Sequence, residues 1–174
     1  MSGGRAVTIL YSEEMIRERV EAVARQIVAA PLKPDIALPI LAGGFVFAAD
    51  LLRALAREGL VLPTEFLWLR SYGAARTGGE VAVLVGPPEW LHGKTALLID
   101  GVLDRGHTLA KARALLLERG AATVLTAVAV DKSQPEAAMA ADYAAFAGAS
   151  GFVVGYGMDD SGDCRGLPYI ARVE

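Results

Sequence analysis

The residues best equipped for chemistry in this 174-residue chain stand between positions 97 and 109, LLIDGVLDRGHTL. An apolar run delivers Asp100 and, four residues later, Asp104, and Arg105, Gly106, His107 and Thr108 separate it from a second apolar pattern. A strand turning tightly into a helix here would aim several backbone N–H groups and the Thr108 hydroxyl at one spot, where the helix dipole favours negative charge. A phosphate suits such a cradle. The same spacing also fits an ordinary strand-to-helix turn in which Asp104 or Thr108 caps the helix. Two other apolar runs end on polar or flexible residues, the first at Gly43-Gly44 and the second at Asp131-Lys132.

These residues need elements to hold them, and the pattern supplies alternating ones. Ser12 is placed to cap a helix with Ile16, Val20, Val23 and Ile27 on one face. Residues 36–41 read as a buried strand, 45–57 as a helix, 64–70 and 80–85 as strands, and 71–79 as a mobile loop between them. Residues 95–99 form a second buried run, followed by a helix at 109–119 and a strand at 122–130. Repeated strand, helix, strand units require crossover connections, so the fold class is α/β: a mostly parallel twisted sheet flanked by helices. Ligands of such sheets bind beyond the carboxyl ends of the strands, where the segments after Leu41, Ile99 and Val130 should meet.

Composition narrows the function. With 53% hydrophobic and 21% charged residues the chain carries enough apolar material for one folded domain, expected to span 1–174. Its net charge of -3 provides no global field for nucleic acid or an anionic membrane. No apolar run approaches the roughly 20 residues of a membrane helix. One cysteine, Cys164, excludes an intrachain disulfide and a cysteine-rich metal fold, and points to a reducing cytoplasm.

The segment 97–109 resembles the phosphoribosyl pyrophosphate motif of type I phosphoribosyltransferases, in which a hydrophobic strand precedes two acids, two apolar residues and Asp-Thr-Gly-x-Thr. Four more segments resemble, in order, the hypoxanthine-guanine branch of that family. Leu41-Ala42-Gly43-Gly44-Phe45 with Phe47, Ala49, Asp50 and Leu51 is similar to its pyrophosphate loop, and Ser71-Tyr72 to the start of its flexible catalytic loop. Asp131-Lys132 is similar to its purine-contacting segment. Residues 152–159 (FVVGYGMD), with Arg165 and then Leu167-Pro168-Tyr169-Ile170, are similar to its hood and closing strand.

The resemblance implies transfer of a phosphoribosyl group from phosphoribosyl pyrophosphate to a 6-oxopurine with the help of Mg²⁺, in a homodimer or homotetramer. It implies that Asp104 is the general base and, with Arg105, Gly106, His107 and Thr108, belongs to the 5′-phosphate site. Asp100 would face the ribose and the metal, and Asp159 a second metal and the purine. Lys132, Phe152 and Val153 would contact the purine, while Ala42, Gly43, Gly44 and Arg165 would hold pyrophosphate. A cis peptide between Leu41 and Ala42, and a hood formed by residues 1–12 and 144–174, are implied as well.

Three positions depart from the family pattern: Gly101 replaces the second acid, Arg105 a threonine, and Ala42 a frequent lysine. Restoring the acid pair with Gly101→Asp is expected to tighten phosphoribosyl pyrophosphate. The departures leave two alternatives open: an enzyme preferring xanthine, and a nucleotide-binding or regulatory relative with weakened catalysis.

Overall fold

A computed structural model describes residues 6–72 and 80–174. In chain order the elements are β1 (Val7–Tyr11), α1 (Glu13–Ala29), β2 (Ile36–Leu41), α2 (Phe45–Arg57), β3 (Leu67–Tyr72), β4 (Glu80–Val85), β5 (Thr95–Leu103), α3 (His107–Glu118), β6 (Thr123–Asp131), β7 (Tyr143–Ala147), β8 (Phe152–Val154) and β9 (Ile170–Val173). A short 3-10 turn, Glu89–Leu91, precedes β5.

The apolar runs of β2, β5 and β6 have no polar face to offer water, and each lies inside a six-stranded sheet of order β4-β3-β2-β5-β6-β7. All neighbours in it run parallel except β4, which pairs antiparallel with β3 at the edge. Alternate residues of each strand serve opposite faces. Ala37 and Leu97, which are partners across β2 and β5, pack under α1 and α2, whereas the next pair, Leu38 and Leu98, packs under α3.

Helix α1 begins where expected, with Ser12 Oγ accepting from the Met15 N–H at 3.3 Å. It buries Ile16, Val20, Val23 and Ile27, and α2 buries Phe47, Leu51 and Leu55 against it. Among the described residues no helix is long and apolar enough to cross a membrane.

Four of the differences from the sequence reading bear on the site, each for a packing reason. β5 continues past residue 99 to Leu103, because Val102 and Leu103 keep their pairing with Val130 and Asp131 of β6. Helix α3 starts at His107, two residues early, since Gly106 adopts φ 76° and reverses the chain at once. Ser71 and Tyr72, assigned to a loop, extend β3 and pair with Val81 and Glu80, while the rest of that loop, 73–79, lies outside the described residues.

The fourth difference concerns the hood, expected over 1–12 and 144–174. Residues 143–147 instead enter the main sheet as β7. Asp142 explains this: its carboxylate accepts from both the N–H and the hydroxyl of Thr126 at 2.8 Å, its own N–H donates to that hydroxyl at 2.9 Å, and β7 is thereby laid beside β6. The separate hood sheet is three-stranded and antiparallel, order β1-β9-β8, and residues 1–5 lie outside the described residues. Tyr11 of β1 stacks on Phe146 of β7 with ring centroids 3.8 Å apart, which joins hood to sheet.

Candidate active site

Parallel pairing of β5 with β6 in the register Leu103 to Asp131 places the next residue of each strand side by side. Lys132 N donates to Leu103 O at 2.9 Å, and the Lys132 ammonium donates to Asp104 Oδ2 at 2.7 Å. The lysine side chain is 7% exposed and the aspartate 50%, so the cation is sheltered and the carboxylate faces the solvent side of the crevice. Asp131 Oδ1 accepts from Ser133 N at 2.7 Å, which curls the chain away and keeps Lys132 at the strand end.

Beyond Asp104 the backbone turns through Arg105 and Gly106 into α3. No side chain caps this helix. The first turn of any helix leaves N–H groups without intrahelical acceptors, so His107 and Thr108 bring donors to the expected cradle. Arg105 O accepts from Ala138 N at 2.9 Å, and Gly106 lies so close to Met139 that a Cβ would stand 3.3 Å from its nitrogen. The left-handed φ and this contact together require glycine there.

On the other side of β5, the loop after β2 comes against Asp100. The Leu41–Ala42 peptide is cis. Gly44 N donates to Ile40 O at 3.1 Å, and a Cβ on Gly43 would stand 3.8 Å from Asp100 Oδ1. Burial pushes the Asp100 carboxyl up to about 7, although Gly101 N donates to its Oδ1 at 2.7 Å. Desolvation disfavours a lone carboxylate charge, and a nearby cation would restore it.

Gly101 corrects the sequence reading. A Cβ there would stand 2.6 Å from Gly43 O and 3.3 Å from Met158 Cγ, so the position is filled by its neighbours and Gly101→Asp has no room to rebuild an acid pair. The Gly43 carbonyl is in fact held between two glycines, because a Cβ on Gly157 would approach it to 2.7 Å.

The hood turn that carries Gly157 also carries Asp159 and Arg165. Sequence reasoning gave them separate partners, but here they face each other: Arg165 Nη2 lies 2.7 Å from Asp159 Oδ1, and Arg165 Nη1 donates to Gly157 O at 2.6 Å. Phe152 and Val153 sit on β8, the phenyl ring half exposed and the valine buried.

Among the described residues no cluster of three histidine, cysteine or carboxylate side chains forms a ready metal cage. A hard cation here would draw one or two protein oxygens and complete its shell from water and substrate, which is how Mg²⁺ commonly binds. Asp100, partly buried and with no cation beside it among the described residues, fits that role better than Asp159, whose charge Arg165 already balances.

Two contacts between these distant segments, which the sequence reading did not pair, complete the region. Tyr156 OH donates to Asp50 Oδ2 at 2.7 Å, and its ring packs edge-on against Phe47 at 6.5 Å. The flanking glycines of Tyr156 were the only hint of a special turn.

Residues 7–161 match the phosphoribosyl transferase domain. The chain belongs to this family. It is 32% identical over 175 residues to the hypoxanthine-guanine phosphoribosyltransferase of Aquifex aeolicus, covering 98% of this chain and 97% of the relative. It is 31% identical to the hypoxanthine phosphoribosyltransferase of Escherichia coli, covering 96% and 95%. Among solved structures, Trypanosoma cruzi hypoxanthine phosphoribosyltransferase in complex with its product IMP superimposes with a TM-score of 0.84 at 30% identity, over 95% of this chain and 93% of that one. The family resemblance read from five short motifs thus extends over nearly the whole chain.

Proposed function

We propose that the chain performs purine salvage by transferring the 5-phosphoribosyl group of phosphoribosyl pyrophosphate to N9 of hypoxanthine or guanine, giving IMP or GMP and pyrophosphate. The observation that carries this reading is the Asp104–Lys132 pair, set at adjoining strand ends beside the uncapped N-terminus of α3.

In the free protein the two side chains satisfy each other, and a 6-oxopurine can replace both partners at once. Its O6 accepts from the Lys132 ammonium while its N7–H donates to the Asp104 carboxylate. A 6-aminopurine presents only donors at that edge and would leave the sheltered lysine unmatched, a loss that sites built around buried polar groups discriminate strongly. As N9 forms its bond to C1′, the bond from C1′ to the pyrophosphate oxygen breaks and pyrophosphate leaves with the electron pair. The purine's N7 proton passes to Asp104, which acts as general base.

The remaining residues position the substrates. The α3 N-terminus, with residues 105–108, binds the 5′-phosphate through backbone N–H groups and the Thr108 hydroxyl. Ala42, Gly43 and Gly44 offer backbone to the pyrophosphate, and Arg165 offers a guanidinium beside it. Phe152 stacks on the purine and the Val153 carbonyl accepts from its edge. Asp159 holds Arg165 in place for the pyrophosphate through their ion pair. Ser71 and Tyr72, at the end of β3, carry the motif of the family's catalytic loop. Bound Mg²⁺ would supply charge neutralisation for the ribose hydroxyls and the departing pyrophosphate, with Asp100 as its protein oxygen.

The same reading includes a cytoplasmic location, which the lone free Cys164 suits. It includes a homodimer or homotetramer, which the exposed Trp68 and Val85, register partners across β3 and β4, suit, since neighbouring exposed apolar groups favour cover. The test is an assay of hypoxanthine, guanine, xanthine and adenine, each with phosphoribosyl pyrophosphate and Mg²⁺. IMP and GMP are the expected products. Xanthosine monophosphate as the dominant product would move the preference to xanthine, and no product from any base would leave a nucleotide-binding relative.

A further inference from the structure

We infer that Tyr156 and Asp50 are a positioning pair that locks the hood turn onto the pyrophosphate loop, so that affinity for the pyrophosphate end of the substrate depends on a single hydrogen bond between elements 106 residues apart. The inference rests on the proposed transferase reading and adds to it two residues that touch no substrate.

Three sets of contacts support it. First, residues 155–157 form a turn in which all three residues have positive φ, 88°, 52° and 96°, and only the middle one is not glycine. A tyrosine in that conformation costs more than glycine would, and it persists where surroundings hold it. Second, the side chain that is retained at this cost is buried, 4% exposed, and spends its hydroxyl on Asp50 of α2 at 2.7 Å while its ring meets Phe47 of the same helix. Burial, and then the Asp50 contact, push the phenol far above its ordinary range, so it remains a donor at every relevant pH. Asp50 is steadied in turn by Arg53 one turn along α2, an ion pair on its other carboxylate oxygen.

Third, both ends of this link lead to the substrate side. Helix α2 starts immediately after Gly43-Gly44, and the residue after Tyr156 is Gly157, packed on the Gly43 carbonyl. The same turn feeds Arg165 through two bonds, Gly157 N to Arg165 O at 2.9 Å and Arg165 Nη1 to Gly157 O at 2.6 Å. Tyr156 therefore fixes, from behind, the spacing between the loop that offers backbone to pyrophosphate and the guanidinium that offers charge. Asp104 and Lys132 hang from other strands and do not share this support.

The experiment compares Tyr156→Phe, Asp50→Asn, Asp50→Ala and the Tyr156→Phe/Asp50→Ala double variant. Measured are the KM values for phosphoribosyl pyrophosphate and for hypoxanthine, the calorimetric affinity for Mg²⁺-pyrophosphate, and thermal melts. Tyr156→Phe should raise the KM for phosphoribosyl pyrophosphate about 3- to 10-fold, the scale of one hydrogen bond, and weaken Mg²⁺-pyrophosphate by a similar factor, with the hypoxanthine KM changed less than about twofold. Asp50→Asn keeps an acceptor and should stay near wild type. Asp50→Ala should match Tyr156→Phe, and the double variant should be no worse than Asp50→Ala, because both remove the same bond. Equal rises in both KM values, unchanged pyrophosphate affinity, or additive single effects would overturn the inference. If the wild type forms no monophosphate, the transferase reading falls, and the calorimetric series still decides whether the pair governs pyrophosphate binding.

Discussion

At the ends of β5 and β6, Asp104 and Lys132 stand side by side because two neighbouring parallel strands share one register, and Asp100 projects from β5 itself. Across the crevice the hood turn is made differently: Tyr156, Ser161 and Cys164 all have positive φ, and the turn is held by Arg165–Asp159, Arg165–Gly157 and Tyr156–Asp50 contacts. The strand-end groups owe their positions chiefly to ladder hydrogen bonds that every residue type but proline can make. The hood groups owe theirs to particular side chains. Reactive groups on the rigid sheet should therefore control the chemical step, and hood contacts should control how tightly the phosphorylated substrate is held.

The most severe way to break this division is Asp104→Asn. Loss of the base should lower kcat about 10²-fold or more, while IMP binding stays within a few-fold, because N7 of the product has lost its proton and the substituted amide can still donate to it. Single-turnover kinetics with an IMP titration would show it, and an unchanged kcat would remove Asp104 from the chemistry.

Lys132→Ala should raise the KM for hypoxanthine and guanine on the order of 10-fold, with a smaller change for phosphoribosyl pyrophosphate, since a sheltered charged donor is worth roughly 1 to 3 kcal/mol. Steady-state kinetics with each substrate varied in turn would check this. Equal shifts would make the lysine a structural partner of Asp104 only.

Gly101→Asp sharpens the comparison where the two regions touch. The sequence alone suggested a gain. The Gly43 carbonyl and Met158 instead predict overpacking of about 1 to 3 kcal/mol, or roughly 2 to 10 °C in melting temperature, with a weaker rather than tighter hold on phosphoribosyl pyrophosphate. A variant as stable as wild type would show that the contact yields.

The smallest expected effect is a pH dependence. Because burial raises the Asp100 carboxyl to about 7, the folded chain holds a proton that the unfolded chain releases near pH 4. The folded state then binds more protons between those values, so this group's contribution to stability is complete below about 4, declines with rising pH, and is gone above about 7. Melting temperatures of unliganded wild type should fall relative to Asp100→Asn by roughly a few degrees between pH 5 and 8. Parallel curves would mean that Asp100 is ionised throughout. The same proton predicts weaker Mg²⁺-phosphoribosyl pyrophosphate binding as pH drops below about 7.

Much of the strand-end half was legible because its signals are local. Apolar runs without polar alternation, the glycines after β2, and the acids closing β5 announce a parallel sheet and its crevice from spacing alone. The hood was legible only as a motif. Residue 143 onward has the same short apolar look as the hood strands, yet Asp142 and its bonds to Thr126 send it into the main sheet.

The sequence by itself determined the α/β class, the two buried strands that carry Asp104 and Lys132, and the placement of a glycine turn at the start of α3. Period, composition and turn chemistry act over a few residues, and those segments contain all that is needed. Only the tertiary structure decided that Asp104 and Lys132 share one ion pair, that Gly101 is closed to any side chain, and that Asp50 and Tyr156 meet. Each of these depends on strand register or on packing between segments tens of residues apart, where a few tenths of an ångström separates contact from clash.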